Sequence, residues 1–327
     1  MRTWGNIEVP QRPQWLSHIG QDHAPFEFSV SFVAGRPRIR LLVEAQSETG
    51  RFPAVRDACL GVQSAAMEYG ADGHAFERVR DLFLPEVPHA PFALWHAASI
   101  SSGPMFVKAY LNPQIRGPEH AEVVVQTALE RLGLRGAWSN VRSSFWDHEL
   151  SGDEIRYFSL DLVEPARART KVYVYPAGAT AWDLERLASL RKSYVPGEVT
   201  EFCRAMTGST GPYVDRAVCV YFAFTGTDPN PSDVTIQVPM AAYVQDDEVA
   251  RDRILRYFRA RGLPTTAYER ALSAVSQRPL GSGRGLHTYV SLRTGRQPLH
   301  LTVYFAAELY GVQQPPRIES VPAAMSA

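Results

Sequence analysis

A pattern of two strands followed by two helices repeats about every 65 residues along the chain, read from period-2 and period-3.6 apolar spacing. The strand pairs are predicted at 26–33 with 37–45, 91–98 with 104–112, 155–162 with 168–175, 216–224 with 233–239, and 286–293 with 298–306. Helices are predicted at 51–69, 74–83, 118–132, 182–193, 197–207, 247–261 and 265–277. The stretch 134–152 has too little periodicity for us to place a second helix in its unit. Five such ββαα units predict an antiparallel sheet of ten strands covered by helices.

The two faces of these predicted strands differ in composition. In 169–174, Arg169, Lys171 and Tyr173 share one face, because successive side chains of a strand point in opposite directions. Apolar and small side chains take the other face. The other strands repeat this arrangement, with polar or aromatic side chains at Glu27, Ser29, Ser31, Arg38, Arg40, Lys108, Tyr110, His287, Tyr289, His300, Thr302 and Tyr304.

The polar face distinguishes between two architectures. An open sheet packed on helices shows water a mixture of short and charged side chains, whereas this face concentrates Tyr, Arg, Lys, Glu and His. A closed barrel explains it better, with an apolar outer wall under the helices and a lumen whose polar groups converge on a ligand. The expected fold is therefore α/β: a ten-stranded antiparallel β-barrel of five ββαα units, ringed by outer α-helices. The open, solvated sheet is the alternative, and the number of strands argues against it because ten can enclose a cavity.

Composition excludes several classes of protein. The 34 Lys and Arg residues balance 34 Asp and Glu residues, and no basic tail or stripe indicates nucleic acid or an anionic membrane as a partner. The cysteines show neither CxxC nor Cys/His ligand spacing, which predicts reduced thiols rather than disulfides or a zinc site. They are Cys59, Cys203 and Cys219.

The chain shows no signs of targeting or of a second domain. Residues 1–14 lack the apolar run of a secretory signal, and no apolar stretch is long enough to span a bilayer. We expect a soluble, cytoplasmic protein forming one domain over 1–327, with a core at about 25–310 and a loosely held Pro/Ala/Ser-rich tail at 312–327.

Lysine is rare in this chain and its placement is informative. Of the 34 basic residues three are lysines, Lys108, Lys171 and Lys192. Two of these lie two residues before a tyrosine, in Lys108-Ala109-Tyr110 and Lys171-Val172-Tyr173. An ammonium differs from a guanidinium in geometry and hydration, so we interpret Lys108 and Lys171 as functional residues.

Several strand motifs, taken in their order, resemble the dimethylallyltryptophan synthase type of aromatic (indole) prenyltransferase. They are Pro25-Phe26-Glu27-Phe28-Ser29, Ile39-Arg40-Leu41, Val107-Lys108-Ala109-Tyr110, Arg169-Thr170-Lys171-Val172-Tyr173, His287-Thr288-Tyr289 and Val303-Tyr304. The resemblance spans about 25–310 and implies the ABBA fold, or PT barrel, which is the barrel expected above. It also implies transfer of a dimethylallyl or longer prenyl group from its diphosphate to an indole-type acceptor. Such acceptors are tryptophan, a cyclic dipeptide, or another indole or carbazole.

The resemblance assigns cations to the prenyl diphosphate. Arg40, Lys108, Arg169 and Lys171 would bind it, and Gln237 falls where many relatives have a phosphate-contacting tyrosine. Preorganised cations in a water-poor lumen stabilise charge on the departing diphosphate more than they stabilise the ground state. We therefore expect a metal-independent Friedel–Crafts-type alkylation that needs no cofactor, in a monomer or homodimer.

The resemblance also assigns aromatic and acceptor-binding residues. Tyr110, Tyr173, Tyr289 and Tyr304 would shield the allyl cation with their π faces or donate hydrogen bonds to phosphate. A single buried strand tyrosine is more often there for packing, but four on lumenal faces shift that balance. Glu27 resembles the carboxylate that accepts the indole N–H, and its alternative role is an ion pair with a lumenal Arg. A lysine base of the family is missing; Trp95 and His96 occupy that strand, so Trp95 is a candidate acceptor contact and His96 a candidate base. Arg156 lies near the position where tryptophan-specific members bind the amino-acid carboxylate, and a solvated arginine is the equal alternative.

Two local motifs resemble other phosphate sites but do not fit them. Asp246-Asp247-Glu248-Val249-Ala250-Arg251-Asp252 resembles DDxxD, yet its third carboxylate comes two residues late, and helix capping by Asp246 or Asp247 accounts for it. The glycine-rich stretch 281–285 leads into a strand and lacks the lysine of a phosphate loop, which indicates a flexible connection between elements.

Two alternative functions remain open. One is prenylation of a phenol or tyrosine, and the other is a noncatalytic barrel that binds an anionic hydrophobic ligand.

Overall fold

A computed structural model gives the architecture of most of the chain. It describes residues 8, 10–33, 36–48, 50, 55, 57–62, 65, 70–85, 90–100, 105–145, 154–296 and 298–311. The tail predicted at 312–327 lies outside these residues, as does much of the helix predicted at 51–69, of which 57–62 are helical.

Ten antiparallel strands close into a barrel in which neighbours in the chain are neighbours in space. The strands are β1 (Phe26–Val33), β2 (Arg36–Glu44), β3 (Leu94–Ile100), β4 (Phe106–Leu111), β5 (Glu154–Asp161), β6 (Arg169–Tyr175), β7 (Cys219–Thr225), β8 (Asp233–Pro239), β9 (His287–Arg293) and β10 (His300–Ala306). β1 pairs with β10 to complete the circuit. The predicted barrel is thereby confirmed and the open sheet excluded.

Helices surround the barrel wall. They are α1 (His74–Phe83), α2 (Ala121–Arg131), α3 (Ala137–Arg142), α4 (Ala181–Ala188), α5 (Glu198–Thr207), α6 (Met240–Tyr243), α7 (Asp247–Ala260) and α8 (Thr266–Val275). The unplaced second helix of the second unit is α3, and its six residues are too few to give a periodic signal. Among the described residues, no helix is both long and apolar enough to cross a bilayer.

Two separate apolar layers hold the barrel. The larger lies between the outer wall and the helices, where strand residues such as Val172, Phe222 and Phe305 pack with Phe202 and Phe258 of the helices. The smaller lies inside the barrel and consists mainly of tyrosines. Because side chains alternate along each strand, the outer face of the barrel is apolar and packs on the helices, whereas the inner face is lined by polar and aromatic side chains. Cys59, Cys203 and Cys219 are free thiols.

Two β-bulges interrupt this alternation. Tyr304 and Phe305 of β10 pair with Tyr289 and His287, so Thr288 is the extra residue of β9. His287 therefore faces the helices, although the sequence pattern placed it on the polar face with Tyr289. In β5, Ile155 and Tyr157 pair with consecutive residues of β6, so the extra residue there is Arg156.

Candidate active site

Four predicted phosphate-binding cations lie on the lumenal face towards one end of the barrel, here called the cationic end. Arg40 pairs in register with Ser29 and donates to Ser31 Oγ at 3.2 Å. Lys108 lies between Val107 and Ala109, both in the outer core, and so faces inward. Arg169 and Lys171 alternate with Thr170 and Val172 on β6.

A buried carboxylate, Asp161 of β5, joins two of these cations. It is 1% exposed and lies 3.1 Å from Lys108 Nζ and 2.7 Å from Arg169 Nε. Burial alone would raise the pKa of Asp161, but the neighbouring Lys108 and Arg169 outweigh burial and hold that pKa below its ordinary value. Asp161 thus stays ionised and fixes both cations in the lumen. Sequence reasoning missed it, although it lies on the same β5 face as Ser159 and Tyr157.

Lys171 is the least compensated cation of this end. Its ammonium lies 5.1 Å from the centre of the Tyr221 ring, and no ion pair within 4.0 Å is found for it among the described residues. Burial, together with Lys108 and Arg169, lowers its pKa well below the ordinary value, and burial lowers the pKa of Lys108 to about 8. A polyanion entering here would reverse both shifts, because a nearby negative charge favours the protonated ammonium.

Arg293 is a fifth lumenal cation, which sequence reasoning missed although it shares a face with Tyr289. It pairs in register with Thr235 and His300 and lies 3.8 Å from Asp233. Burial and the nearby Arg293 and Arg40 lower the pKa of His300 to about 2, so this imidazole is neutral and bonds Ser31 Oγ at 2.8 Å. Gln237 lies one lumenal position further in, beside Ser291 and Cys219.

A band of tyrosines occupies the middle of the lumen. Tyr173 is its centre: its hydroxyl donates to Tyr110 at 3.3 Å and its ring centroid lies 4.5 Å from that of Tyr221. Tyr289 and Tyr304 form an edge-to-face pair at 6.2 Å. All four predicted tyrosines are thus lumenal, and the structure adds Tyr157, Tyr175 and Tyr221.

Glu27 lies at the opposite end of the lumen, here called the Glu27 end. It is 5% exposed, and its Oε1 accepts a hydrogen bond from Thr288 Oγ1 at 2.6 Å. Burial raises the pKa of Glu27 to about 8, although Thr288 and Arg216 oppose the rise. The carboxyl is therefore largely protonated at neutral pH, which differs from the ionised group expected from the sequence.

Two arginines lie at the Glu27 end in different surroundings. Arg156, the bulge residue of β5, forms an ion pair with Glu154 and lies 4.5 Å from the centre of the Tyr175 ring. Arg216, which the sequence did not indicate, donates to Tyr289 Oη at 2.8 Å. It lines a cavity of about 200 Å³ together with Thr288, Tyr289 and residues of the segment 17–23.

Trp95 and His96 are adjacent on β3 and face opposite ways. Trp95 pairs with the lumenal Tyr110 and stacks on Phe92 with ring centroids 3.8 Å apart. Among the described residues its indole N–H has no hydrogen-bond partner. His96 pairs with the outer-core residue Ala109 and packs near Gly61, and burial lowers its pKa to about 4. Its position outside the lumen corrects the expectation that it acts as a base.

The acidic motif at 246–252 lies outside the barrel. Asp246 caps α7 by accepting the Val249 N–H at 2.9 Å, as expected, and Asp247 accepts from the backbone of Leu286 and His287. Across the described parts of the chain, no group of three or more His, Cys, Asp or Glu side chains is arranged to hold a metal ion.

Known proteins share this architecture. The sequence pattern of the family described as tryptophan dimethylallyltransferase matches residues 5–271. The chain is similar to 6-dimethylallyltryptophan synthase from Micromonospora olivasterospora in complex with DMASPP and Trp: 35% identity, TM-score 0.87, 93% of this chain and 87% of that chain. It is also similar to 5-dimethylallyl tryptophan synthase from Streptomyces coelicolor in complex with DMASPP and Trp. The identity is 32% and the TM-score 0.83, and the match covers 95% of this chain and 86% of that chain. A third similar structure is the prenyltransferase PriB in a ternary complex with L-tryptophan and dimethylallyl thiolodiphosphate. The identity is 34% and the TM-score 0.81, and the match covers 96% of this chain and 88% of that chain.

Proposed function

The chain belongs to the tryptophan dimethylallyltransferase family, and on that premise we propose that it transfers a dimethylallyl group from its diphosphate to an indole-type acceptor such as tryptophan. The observation that carries the proposal is a closed lumen with surplus cations at one end and a buried carboxyl at the other. Ser31, which contacts Arg40 and His300, lies four residues from Glu27 on β1, or about 13 Å along the strand. That length accommodates a five-carbon chain followed by an indole.

The cationic end would bind the diphosphate and stabilise its departure. Asp161 holds Lys108 and Arg169 in place before the donor arrives, so little reorganisation is needed during reaction. Lys171, which lacks a carboxylate partner among the described residues, gains most from the charge that develops as the C–O bond breaks. Arg40 and Arg293 complete the site, and Gln237 would donate its amide to phosphate from the next lumenal position.

The tyrosine band would surround the allyl cation. The rings of Tyr110, Tyr173, Tyr289 and Tyr304 line the lumen, and a contact between a π face and a desolvated cation is worth about 0.5–2 kcal/mol. Their hydroxyls stay protonated, since burial raises the pKa of Tyr110 to about 12. The band also separates the cation from water, which would otherwise capture it.

Glu27 would accept the indole N–H and stabilise the positive arene that forms when a ring carbon attacks the cation. The ionised Glu27 carboxylate would then take up the proton that this ring carbon loses as aromaticity is restored. Ionisation of Glu27 becomes easier when a positive centre enters the lumen, because an opposite charge favours the carboxylate. Trp95 would pack on the acceptor and Arg156 would bind an amino-acid carboxylate.

We further propose that the reaction needs no divalent metal. Five lumenal cations at the cationic end supply the charge stabilisation that a metal would otherwise give to the diphosphate.

A product assay tests the proposed function. The purified protein is incubated with dimethylallyl diphosphate and either tryptophan, a tryptophan-containing cyclic dipeptide or tyrosine, and products are followed by mass spectrometry. We expect a singly prenylated indole. Prenylated tyrosine alone would favour the phenol alternative, and intact diphosphate recovered after a single-turnover incubation would favour a noncatalytic binding protein.

A further inference from the structure

A buried aspartate on the outside of the barrel wall accepts hydrogen bonds from the start of β9. Asp247, the first residue of α7, is 0% exposed. Its Oδ1 accepts the His287 N–H at 2.9 Å and contacts His287 Nδ1 at 3.0 Å, and its Oδ2 accepts the Leu286 N–H at 3.1 Å. Arg278 also donates to Oδ2 and binds Glu308 with the same guanidinium. Three protein donors besides Arg278 thus converge on one carboxylate.

This carboxylate lies at the β9 bulge. Thr288 is the extra residue there, and without the bulge regular alternation would point it to the opposite face from Tyr289. With the bulge it reaches the lumen and donates to Glu27 at 2.6 Å. His287 remains outside, where its Nε2 bonds Tyr268 Oη at 2.8 Å.

We propose that Asp247 is a positioning residue for the reaction: it holds the β9 bulge that turns Thr288 towards Glu27, and so sets the orientation of Glu27 from outside the barrel. The proposal rests on the role of Glu27 given above. It also gives a function to Asp247 of the acidic motif at 246–252, which lies outside the barrel.

The carboxylate is suited to this task for two reasons. A bulge removes ladder hydrogen bonds, and Asp247 accepts the N–H groups of two successive residues at that point. The groups that face it are His287 of β9, Tyr268 of α8, and the Arg278–Glu308 pair; burial opposes its ionisation, but His287 and Arg278 keep the pKa of Asp247 below its ordinary value. An asparagine would turn an NH₂ donor towards these donors.

A double-mutant cycle tests the connection. D247N and T288V should each lower kcat by about 10- to 100-fold, since small misplacement of a reacting group has effects of that size. If Asp247 acts on Glu27 through Thr288, D247N should add less than about twofold to the loss in T288V, because the contact it positions is already gone. Losses that multiply would overturn the proposal.

A pH profile separates positioning from general damage to the fold. The Thr288 hydrogen bond lowers the pKa of Glu27, so T288V and D247N should both move the rising limb of kcat/KM for the acceptor to higher pH. T288S, which keeps a hydroxyl, should restore the wild-type limb. D183N provides the matched control: Asp183 forms the capping box of α4 and does not contact β9, so it should lower Tm without moving the limb.

Two outcomes distinguish failure of this inference from failure of the proposed function. If E27Q retains wild-type activity, the role of Glu27 is wrong and the inference has no basis. If E27Q is impaired while D247N keeps the wild-type kcat and the wild-type rising limb of kcat/KM against pH, Glu27 takes part in the reaction but Asp247 does not position it. Should D247N not fold, D247E replaces it in the same cycle, since it keeps the charge but moves the carboxylate relative to the Leu286 and His287 N–H groups.

Discussion

Replacing Glu27 with glutamine tests the chemistry of the lumen directly, because the variant keeps the shape and a hydrogen-bond acceptor but loses the charge. Burial raises the pKa of Glu27 from 4.5 to about 8. One pKa unit is worth about 1.4 kcal/mol, so the empty lumen disfavours the carboxylate by about 5 kcal/mol. At pH 7 Glu27 is therefore ionised in about one ligand-free molecule in ten.

This fraction predicts the pH dependence of the reaction. At saturating donor, kcat/KM for the indole should rise about tenfold per pH unit and level off above about pH 8, because the ionised form accepts the N–H. Saturating donor is needed because burial lowers the pKa of Lys108 to about 8, and bound diphosphate keeps that ammonium charged. In E27Q the slope should vanish, and at pH 8.5 kcat/KM should fall about 30- to 1,000-fold, equivalent to about 2–4 kcal/mol.

Stability of the ligand-free protein should change in the opposite sense. The folded-state pKa of Glu27 is above its unfolded value, so its contribution to the free energy of unfolding is fully present below pH 4.5 and is lost as the pH rises through 8. Gln cannot ionise. The Tm of E27Q should therefore exceed that of the wild type by an amount that grows between pH 5 and pH 8.5.

Rapid-quench kinetics at pH 6, 7 and 8.5, with thermal unfolding at the same values, measures both effects. The control is E198Q, because Glu198 is buried on the helical side and accepts the Gly295 N–H, so this variant should keep the wild-type slope. A slope that survives in E27Q, or a wild-type kcat/KM that does not change between pH 6 and 8.5, would refute the assignment of the charge to Glu27.

Three further predictions follow from the two ends of the lumen. Turnover should persist in excess EDTA, and activity that vanished and returned only with magnesium would contradict the cation site. Lys171→Ala and Lys108→Ala should lower kcat by about 10- to 1,000-fold with the fold intact by circular dichroism, because each ammonium stabilises the leaving group most in the transition state; a change confined to KM for the acceptor would contradict this. Arg156→Gln should raise KM for tryptophan about tenfold and leave KM for an indole without a carboxylate unchanged. If KM for tryptophan were the same in this variant and the wild type, Arg216 would be the carboxylate-binding candidate, and Arg216→Gln would test it.

The barrel was predictable because its signal is repeated and redundant. Period-2 alternation recurs in ten strands, and an error of three residues at the start, as at β3 and β7, does not change the face on which residues such as Lys108 or Tyr173 lie. The family resemblance drawn from those strands is confirmed by the match over 5–271. The same alternation excludes His96 once Trp95 is placed inside, since neighbours in a strand face opposite ways.

Other parts of the site depend on features that alternation does not contain. A bulge adds one residue and reverses the faces beyond it, so the positions of His287, Thr288 and Arg156 could not be read from spacing. Asp161 becomes meaningful when β5 lies between β4 and β6, because that pairing brings Lys108 and Arg169 to one carboxylate. The protonated state of Glu27 follows from burial, which requires the closed barrel.

Both bulges occur at the Glu27 end, whereas the paired stretches that carry Lys108, Arg169 and Arg293 run in regular register. A regular ladder tolerates no insertion without turning its side chains to the wrong face, but a bulge already contains one. Mutational drift can therefore reshape the acceptor pocket around Thr288 and Arg156 while the donor pocket stays constant. A library randomised at Arg156, with Thr288 kept as Thr or Ser to retain its hydroxyl, should yield altered acceptor ranges with one shared requirement for an allylic diphosphate.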